Sequence, residues 1–267
     1  MVKMRSMSNP TTLVVQSYRT DNVSPWIQTC LASVATWSEN NGYSYECLDD
    51  SFFAYAPEWV NTHCGDQLLP ITDVARLYLI RKRLENYPRV IWIDADMLIF
   101  TPKYVQPDQA KGYALAREIW VNRDATGRTV VREKVNNSCI VMTRQHPILD
   151  FLIFATEEVI RNHKPGKVDF LAAGTTLLTR LATAVPIRIL PSIATFSPLI
   201  VSEINSGNHK MLPHLLQRHK TPLGAANLCG SLVDKQLGNV CVDEADLMQT
   251  VRLLLDSKGS VLDGKPA

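Results

Sequence analysis

Apolar and polar positions fall into alternating strand and helix rhythms along the first hundred residues. The run "TTLVVQSY" (11–18) is continuous enough for a strand buried on both faces. In "SPWIQTCLASVATWSEN", Trp26, Ile27, Cys30, Leu31, Val34 and Trp37 recur at helical spacing. Ser24 stands at the N-cap position, Pro25 in the first turn, and Asn41-Gly42 supplies the stop. "YSYECLDD" (43–50) alternates as a second strand that ends on two carboxylates. An amphipathic helix follows over 71–86, and a turn around Pro88 leads into an apolar strand over 90–100. Strand-helix-strand-helix-strand order implies right-handed crossovers and an open, mostly parallel sheet with helices on its faces.

Beyond Pro102 the rhythm changes. "YALAREIWVNRDATGRTVVREKV" predicts a strand and a hairpin turned at Ala125-Thr126-Gly127, and "SCIVMTR" (138–144) a separate apolar strand. "HPILDFLIFATEEVIRN" and "DFLAAGTTLLTRLATA" predict helices, and "IRILP" a short strand. No repeat or linker divides the chain. The expectation is one α/β domain over 1–267, with a nucleotide-binding half at about 11–105, a second half at about 106–255 and a flexible tail from 256 to 267.

Composition narrows the field. Lys and Arg total 28 against 26 Asp and Glu, and the resulting net charge of +2 is too mild for a nucleic-acid binder. The basic stretch Arg81-Lys82-Arg83 suits the end of a helix, where it complements the dipole. Six cysteines show no CxxC pair and no framework spacing, so free thiols and a reducing compartment are expected. The N-terminal stretch lacks an apolar leader core, and no run approaches a spanning helix. A cytoplasmic protein is expected, with peripheral contact at the inner face of the membrane left open.

"VIWIDADMLIF" (90–100) sets two aspartates inside an apolar run. In an extended strand, residues two apart point to one side, so Asp94 and Asp96 would project together. Two carboxylates about 4 Å apart repel by about 4 kcal/mol at an effective dielectric of 20. A proton or a cation must answer that, and hard oxygen ligands favour Mg²⁺ or Mn²⁺. The plainer alternative is a strand end whose aspartates are solvated or paired with Arg76 or Arg89. Asp73 and Arg76, three apart on the preceding helix, share a face and are also read as an ion pair or as ligand contacts. Asp49 and Asp50 stand between ligand contact and turn capping.

Read as a unit, "ITDVARLYLIRKRLENYPRVIWIDADMLIFTP" resembles the donor-sugar region of glycosyltransferases with the GT-A fold. "VIWIDADMLIF" is most similar to glycosyltransferase family 8. The opening stretch and "VNNSCIVMTRQHPILDFLI" are closer to family 32, a family of mannosyl- and galactosyltransferases. "AAGTTLLTRL" resembles that family's Gly-Pro helix start, with Thr175 in place of the proline. The motifs span roughly residues 11–232. The resemblance implies a GT-A (Rossmann-like) domain that moves a hexose from a UDP- or GDP-sugar to a glycan or lipid-linked hydroxyl acceptor, as in polysaccharide biosynthesis. It implies a Mn²⁺ or Mg²⁺ cofactor held by Asp94 and Asp96. It also implies donor contacts from Gln16, Ser17, Tyr18, Asp73, Arg76, Asp94 and Asn136, with Asn136 and Asn137 beside the reacting sugar. A late histidine would complete the metal set, with His219 preferred over His214, and Lys220 would reach the phosphates. The family endings pair that histidine with Gly and Trp, whereas here Gly224 is displaced and Leu232 follows Ser231. Both families retain anomeric configuration. An inverting enzyme would instead need a carboxylate base, for which Glu118, Asp124 and Asp169 are available, Asp169 also serving as a helix N-cap.

Three other readings compete. A phosphatase of the Asp-x-Asp-x-Thr type would need Thr where Leu98 stands, and a nucleotidyltransferase would need a Gly-rich loop where "QSYRTDN" has no glycine. A catalytically inactive GT-A domain that binds a glycan or partner is the non-enzyme alternative.

Overall fold

The run Thr12–Ser17 (β1) is buried along nearly its whole length, which requires cover on both faces of the sheet. The computed structural model describes residues 11–107 and 110–264. β1 lies between β2 (Ser44–Leu48) and β3 (Arg89–Ile93), parallel to both. β6 (Thr129–Thr143) pairs antiparallel with β3 and with β5 (Tyr113–Arg123), and β7 (Ile189–Leu190) joins β5 in parallel. In the order β2-β1-β3-β6-β5-β7, every strand except β6 runs one way. The mostly parallel α/β sheet is therefore as expected. β4 (Met97–Ile99), β8 (Ile193–Thr195) and β9 (Ala225–Asn227) form a separate small sheet in the order β4-β9-β8.

Helices cover both faces. Val90 and Trp92 of β3 pack with Val74 and Leu77 of α3 (Leu68–Arg83) and with Leu152 and Ile153 of α4 (Ile148–Arg161). The alternate residues, Ile91 and Ile93, pack with Val34 and Trp37 of α1 (Pro25–Asn40). A further core joins Trp26 and Ile27 to Ile119 and Val121 of β5. It also includes α6 (Pro198–Ser206), α7 (Leu212–His219) and α8 (Glu244–Asp256). Asp49 caps a 3₁₀ turn at Asp50–Tyr55, ahead of α2 (Glu58–Cys64), and α5 (Leu177–Ala184) completes the set.

Several expectations need correction. The run 90–100 is not one strand: it breaks after Ile93 and resumes as β4 in the other sheet. The hairpin arm and "SCIVMT" are one strand, β6, because its register with β5 continues past a bulge. The helix expected over "DFLAAGTTLLTRLATA" is interrupted at Gly174, whose φ of −103° and ψ of −105° are not helical. Ser24 sits at the N-cap of α1 without capping it and donates to Glu244 Oε1 instead. Within the expected flexible tail, Ser260–Asp263 form a 3₁₀ turn that buries Val261 and Leu262, and residues 265–267 lie outside the described residues. No helix of the described residues is long and apolar enough to cross a membrane.

Leu262 is 5% exposed and sits with Leu247, Val251 and Leu254 in one core. Leu262→Ala should therefore cost about 2–4 kcal/mol in a urea titration, as for other large-to-small core changes. A change within the fitting error would mean that the C-terminal segment is not part of the fold.

Candidate active site

Where β3 ends, the ladder closes with Asp94 N donating to Ser138 O at 2.8 Å, and a turn closes with Met97 N donating to Asp94 O at 3.1 Å. Asp94 and Asp96 therefore flank a turn at the carboxyl edge of the sheet rather than one side of an extended strand. The Oδ1 atom of Asp94 accepts from Trp92 Nε1 at 2.6 Å and from Arg76 Nη1 at 3.0 Å. Arg76, 4% exposed, also donates to Asn137 O at 2.7 Å and stands 3.4 Å from Asp73 Oδ1. Its guanidinium carbon lies 5.4 Å from the centre of the Trp92 ring. The i, i+3 pair Asp73–Arg76 is thus buried, not a surface pair. Burial pushes the Asp73 carboxyl up to about 6, against the opposing pull of Arg76 and of the Asn137 hydrogen bond.

Asp96 is oriented from the opposite side. Its Oδ1 accepts from Asn227 Nδ2 at 2.6 Å, and its Oδ2 from Gly230 N at 2.8 Å. Burial, followed by the charge of Asp94, raises the Asp96 carboxyl to about 6. A Cβ on Gly230 would come within 3.0 Å of Trp26 Cη2 and 3.4 Å of Asp96 Oδ2, so glycine permits this backbone approach.

The third wall comes from the bulge in β6. Ile140 pairs with Leu115, but the next partner of β5, Ala116, pairs with Asn136, leaving Asn137–Cys139 as the excess. Bulges bend a strand and re-aim its side chains. Here Asn137 Nδ2 donates to Asp73 Oδ1 at 2.8 Å. Asn136 Nδ2 donates to Glu118 Oε2 at 2.7 Å, while Lys134 Nζ meets Glu118 Oε1 at 2.8 Å. The break at Gly174 has its cause in the same place. A Cβ there would lie 2.7 Å from Asp73 Oδ2 and 2.9 Å from Asn137 Nδ2.

These groups line one cleft of about 340 Å³. Its carboxylates are Asp73, Asp94, Asp96 and Glu118, against the cations Arg76 and Lys134, so its walls carry an excess of negative charge. Leu69, Trp120, Phe170 and Leu171 supply its apolar surface. Thr195, 2% exposed, lines it with a hydroxyl that meets no partner.

The structure gathers Asp73, Arg76, Asp94, Asp96, Asn136 and Asn137 in this cleft. Gln16 lies beneath it, fully buried, with Nε2 donating to Asp94 O at 3.1 Å and Oε1 accepting from Tyr45 Oη at 3.0 Å. Ser17 Oγ donates to Asp49 O at 3.4 Å, and Tyr18 packs at the margin of the core around Trp26 and Ile119, with Arg19 over its ring. Neither lines the cleft. Asp169 is exposed, its Oδ1 accepting from Leu171 N at 2.9 Å. Lys220 takes a left-handed conformation at the end of α7 and lines a different cavity. His219 is buried, with Nδ1 3.1 Å from Pro191 O and Nε2 without a partner. Burial lowers its pKa to about 4. Among the described residues no group of three or more His, Cys, Asp or Glu is placed to share a metal ion, and His219 is not among the residues that line the cleft.

The late segment does reach Asp96, but through Asn227 and Gly230. Cys229, between Asn227 and Gly230, holds φ at 55°, with its N–H bonded to Asn227 Oδ1 at 2.9 Å. "AANLCG" carries no signal of this, because its role depends on β9 pairing with β4 across more than a hundred residues. Lys134 and Trp120 were equally hidden. Their place follows from the β5–β6 register, in which Glu118 faces Lys134 and Trp120 faces Arg132.

The sequence matches no protein-family model and no curated protein. Among solved structures, the chain is similar to a glycosyltransferase involved in glycosylation of the major capsid of PBCV-1. The identity is 11% and the TM-score 0.47, covering 90% of this chain and 98% of that one. Mouse xyloside xylosyltransferase 1 in its apo form is 11% identical at a TM-score of 0.43, covering 83% of this chain and 98% of its own. The apo structure of the bifunctional glycosyltransferase WbbM is 11% identical at a TM-score of 0.49. That match covers 96% of this chain and 52% of WbbM.

The surroundings of His219 yield a pH test. Its folded pKa of about 4 lies below the ordinary 6.5, so neutral His219 stabilises the fold above 6.5 and that contribution is lost as pH falls towards 4. The span corresponds to about 3 kcal/mol. His219→Asn keeps a donor for Pro191 O but does not titrate, so its stability should fall less steeply between these pH values. An unchanged slope would assign the acid loss to other groups.

Proposed function

We propose that the chain is a metal-dependent GT-A glycosyltransferase that moves a hexose from a UDP- or GDP-sugar to a hydroxyl of a glycan or lipid-linked acceptor, with retention. The observation that carries the reading is the Asp94–Asp96 turn, which opens into a net-acidic cleft at the carboxyl edge of β3. In open α/β sheets, ligands gather at that edge.

The donor set suits Mg²⁺ or Mn²⁺. Both protein hydrogen bonds to the Asp94 carboxylate fall on Oδ1, which leaves Oδ2 for a ligand. Each oxygen of Asp96 has one donor and a lone pair to spare. Two carboxylates, with diphosphate oxygens and water at the other positions, are the usual company of such an ion. When bound, the ion acts as a Lewis acid that stabilises the diphosphate's growing charge as the anomeric bond breaks. The chain's own groups orient the parts: Arg76 and Trp92 fix Asp94, while Asn227 and Gly230 fix Asp96. Asn136, Asn137, Glu118 and the Thr195 hydroxyl present polar groups to the sugar, and Phe170, Leu171 and Trp120 add apolar surface. In this reading Asp169, His219 and Lys220 take no part in donor or metal binding. The six free cysteines support a reducing, cytoplasmic setting.

Mn²⁺-dependent hydrolysis of at least one UDP- or GDP-sugar should be measurable, and Asp96→Ala should abolish Mn²⁺-dependent nucleotide binding by calorimetry. Turnover of p-nitrophenyl phosphate with every donor left intact would sink the reading.

The Asp96 carboxyl, raised to about 6, adds a pH signature. Without an ion, its contribution to stability is present while it is protonated and is lost as pH rises through about 6. Bound Mn²⁺ offsets that loss, so the rise in Tm on adding Mn²⁺ should be larger at pH 7.5 than at pH 5. An equal rise at both would exclude Asp96 as a ligand.

A further inference from the structure

The face of the β5–β6 hairpin that carries Glu118 continues past the cleft. Residues two apart on a strand share a face, so Glu118, Trp120 and Asn122 lie in line along β5. Glu118 lines the cleft, Asn122 lines a second cavity of about 670 Å³, and Trp120 lines both. Leu237, from the loop that follows Gly230, also lines both. Four residues of strand separate Glu118 from Asn122 by about 14 Å, so one extended ligand can lie across Trp120 into both spaces.

The chemistry of the second cavity differs from that of the first. Asp124 is committed to its turn, where Oδ1 accepts from Thr126 N at 2.8 Å and Arg128 N at 3.0 Å. Arg123, the cation in its lining, donates to Gly127 O at 3.2 Å. The remaining walls are uncharged, with Ser197 and Asn239 beside Pro198, Leu199 and Val240. The side-chain oxygen of Asn122 is buried there and accepts from nothing. Such an acceptor calls for a donor from a ligand or water. An aromatic wall, apolar contacts and an unmet acceptor suit an uncharged polyol ring.

We propose that this cavity is the acceptor subsite, taking a neutral sugar ring against Trp120 with one hydroxyl donated to Asn122 Oδ1. The acceptor role rests on the glycosyl-transfer reading above; the affinity for a neutral saccharide does not.

Binding to the full chain is measured by saturation-transfer NMR and calorimetry with lactose, maltose, mannobiose and diacetylchitobiose, and separately with UDP and GDP plus Mn²⁺. At least one disaccharide should bind. Asn122→Ala should weaken it about fivefold, the worth of one neutral hydrogen bond. Leu199→Trp, which fills the cavity, should abolish it. Both variants should keep the melting profile and nucleotide affinity of the parent. Absence of disaccharide binding, or equal affinity in both variants, would overturn the proposal. Disaccharide binding without any nucleotide binding would keep the saccharide site and refute the transfer reading; the reverse result would do the opposite.

Discussion

The structure depends on one buried guanidinium. Arg76 reaches from α3 to three elements at once: Asp73 on its own helix, Asp94 at the end of β3, and the carbonyl of Asn137 in the β6 bulge. Removing one partner from a buried charged cluster of this kind typically costs about 3–5 kcal/mol, because the remaining charge is left uncompensated. The cluster is thus a constraint on the fold as much as a feature of the site. It locks the helix, the strand end and the bulge into one geometry before any ligand arrives. Gly174 is part of the same constraint, since its missing side chain lets the kinked segment lie against Asp73 and Asn137.

Around that anchor, charge is distributed unevenly. Arg76 neutralises the inner edge of the aspartate pair, while Asp96 has only neutral donors, Asn227 and Gly230. Its carboxyl is raised, by burial first and then by the charge of Asp94. In the proposed reading, a divalent ion with a diphosphate would supply positive charge beside it. Trp120, Leu171 and the largely exposed Phe170 border the cleft with apolar surface.

Much of the sheet was legible in the sequence because β1, α1, β2 and α3 each carry a clear local apolar pattern, and β3 a continuous apolar run. The pair Asp94 and Asp96 was legible because charge inside an apolar run has few explanations. What failed to show was non-local. The break between β3 and β4 depends on β9, far along the chain, and Asn227 becomes meaningful only through that pairing. The bulge at Asn137–Cys139 depends on the β5 register, which also brings Glu118, Lys134 and Trp120 to the cleft. His219 drew attention as a histidine near the end of a motif, but burial against Pro191 gives it a structural place. Residue type pointed to chemistry correctly where the backbone was regular, and less well where a turn or kink re-aimed the side chain.

The central claim is that the Asp94–Asp96 turn binds a divalent cation together with a nucleotide. Electron paramagnetic resonance of Mn²⁺ titrated into the full chain with UDP or GDP tests it most directly. The account predicts one nucleotide-dependent Mn²⁺ site per chain, lost in Asp94→Asn and Asp96→Asn while both variants remain folded. Tight Mn²⁺ binding that survives both substitutions would contradict it.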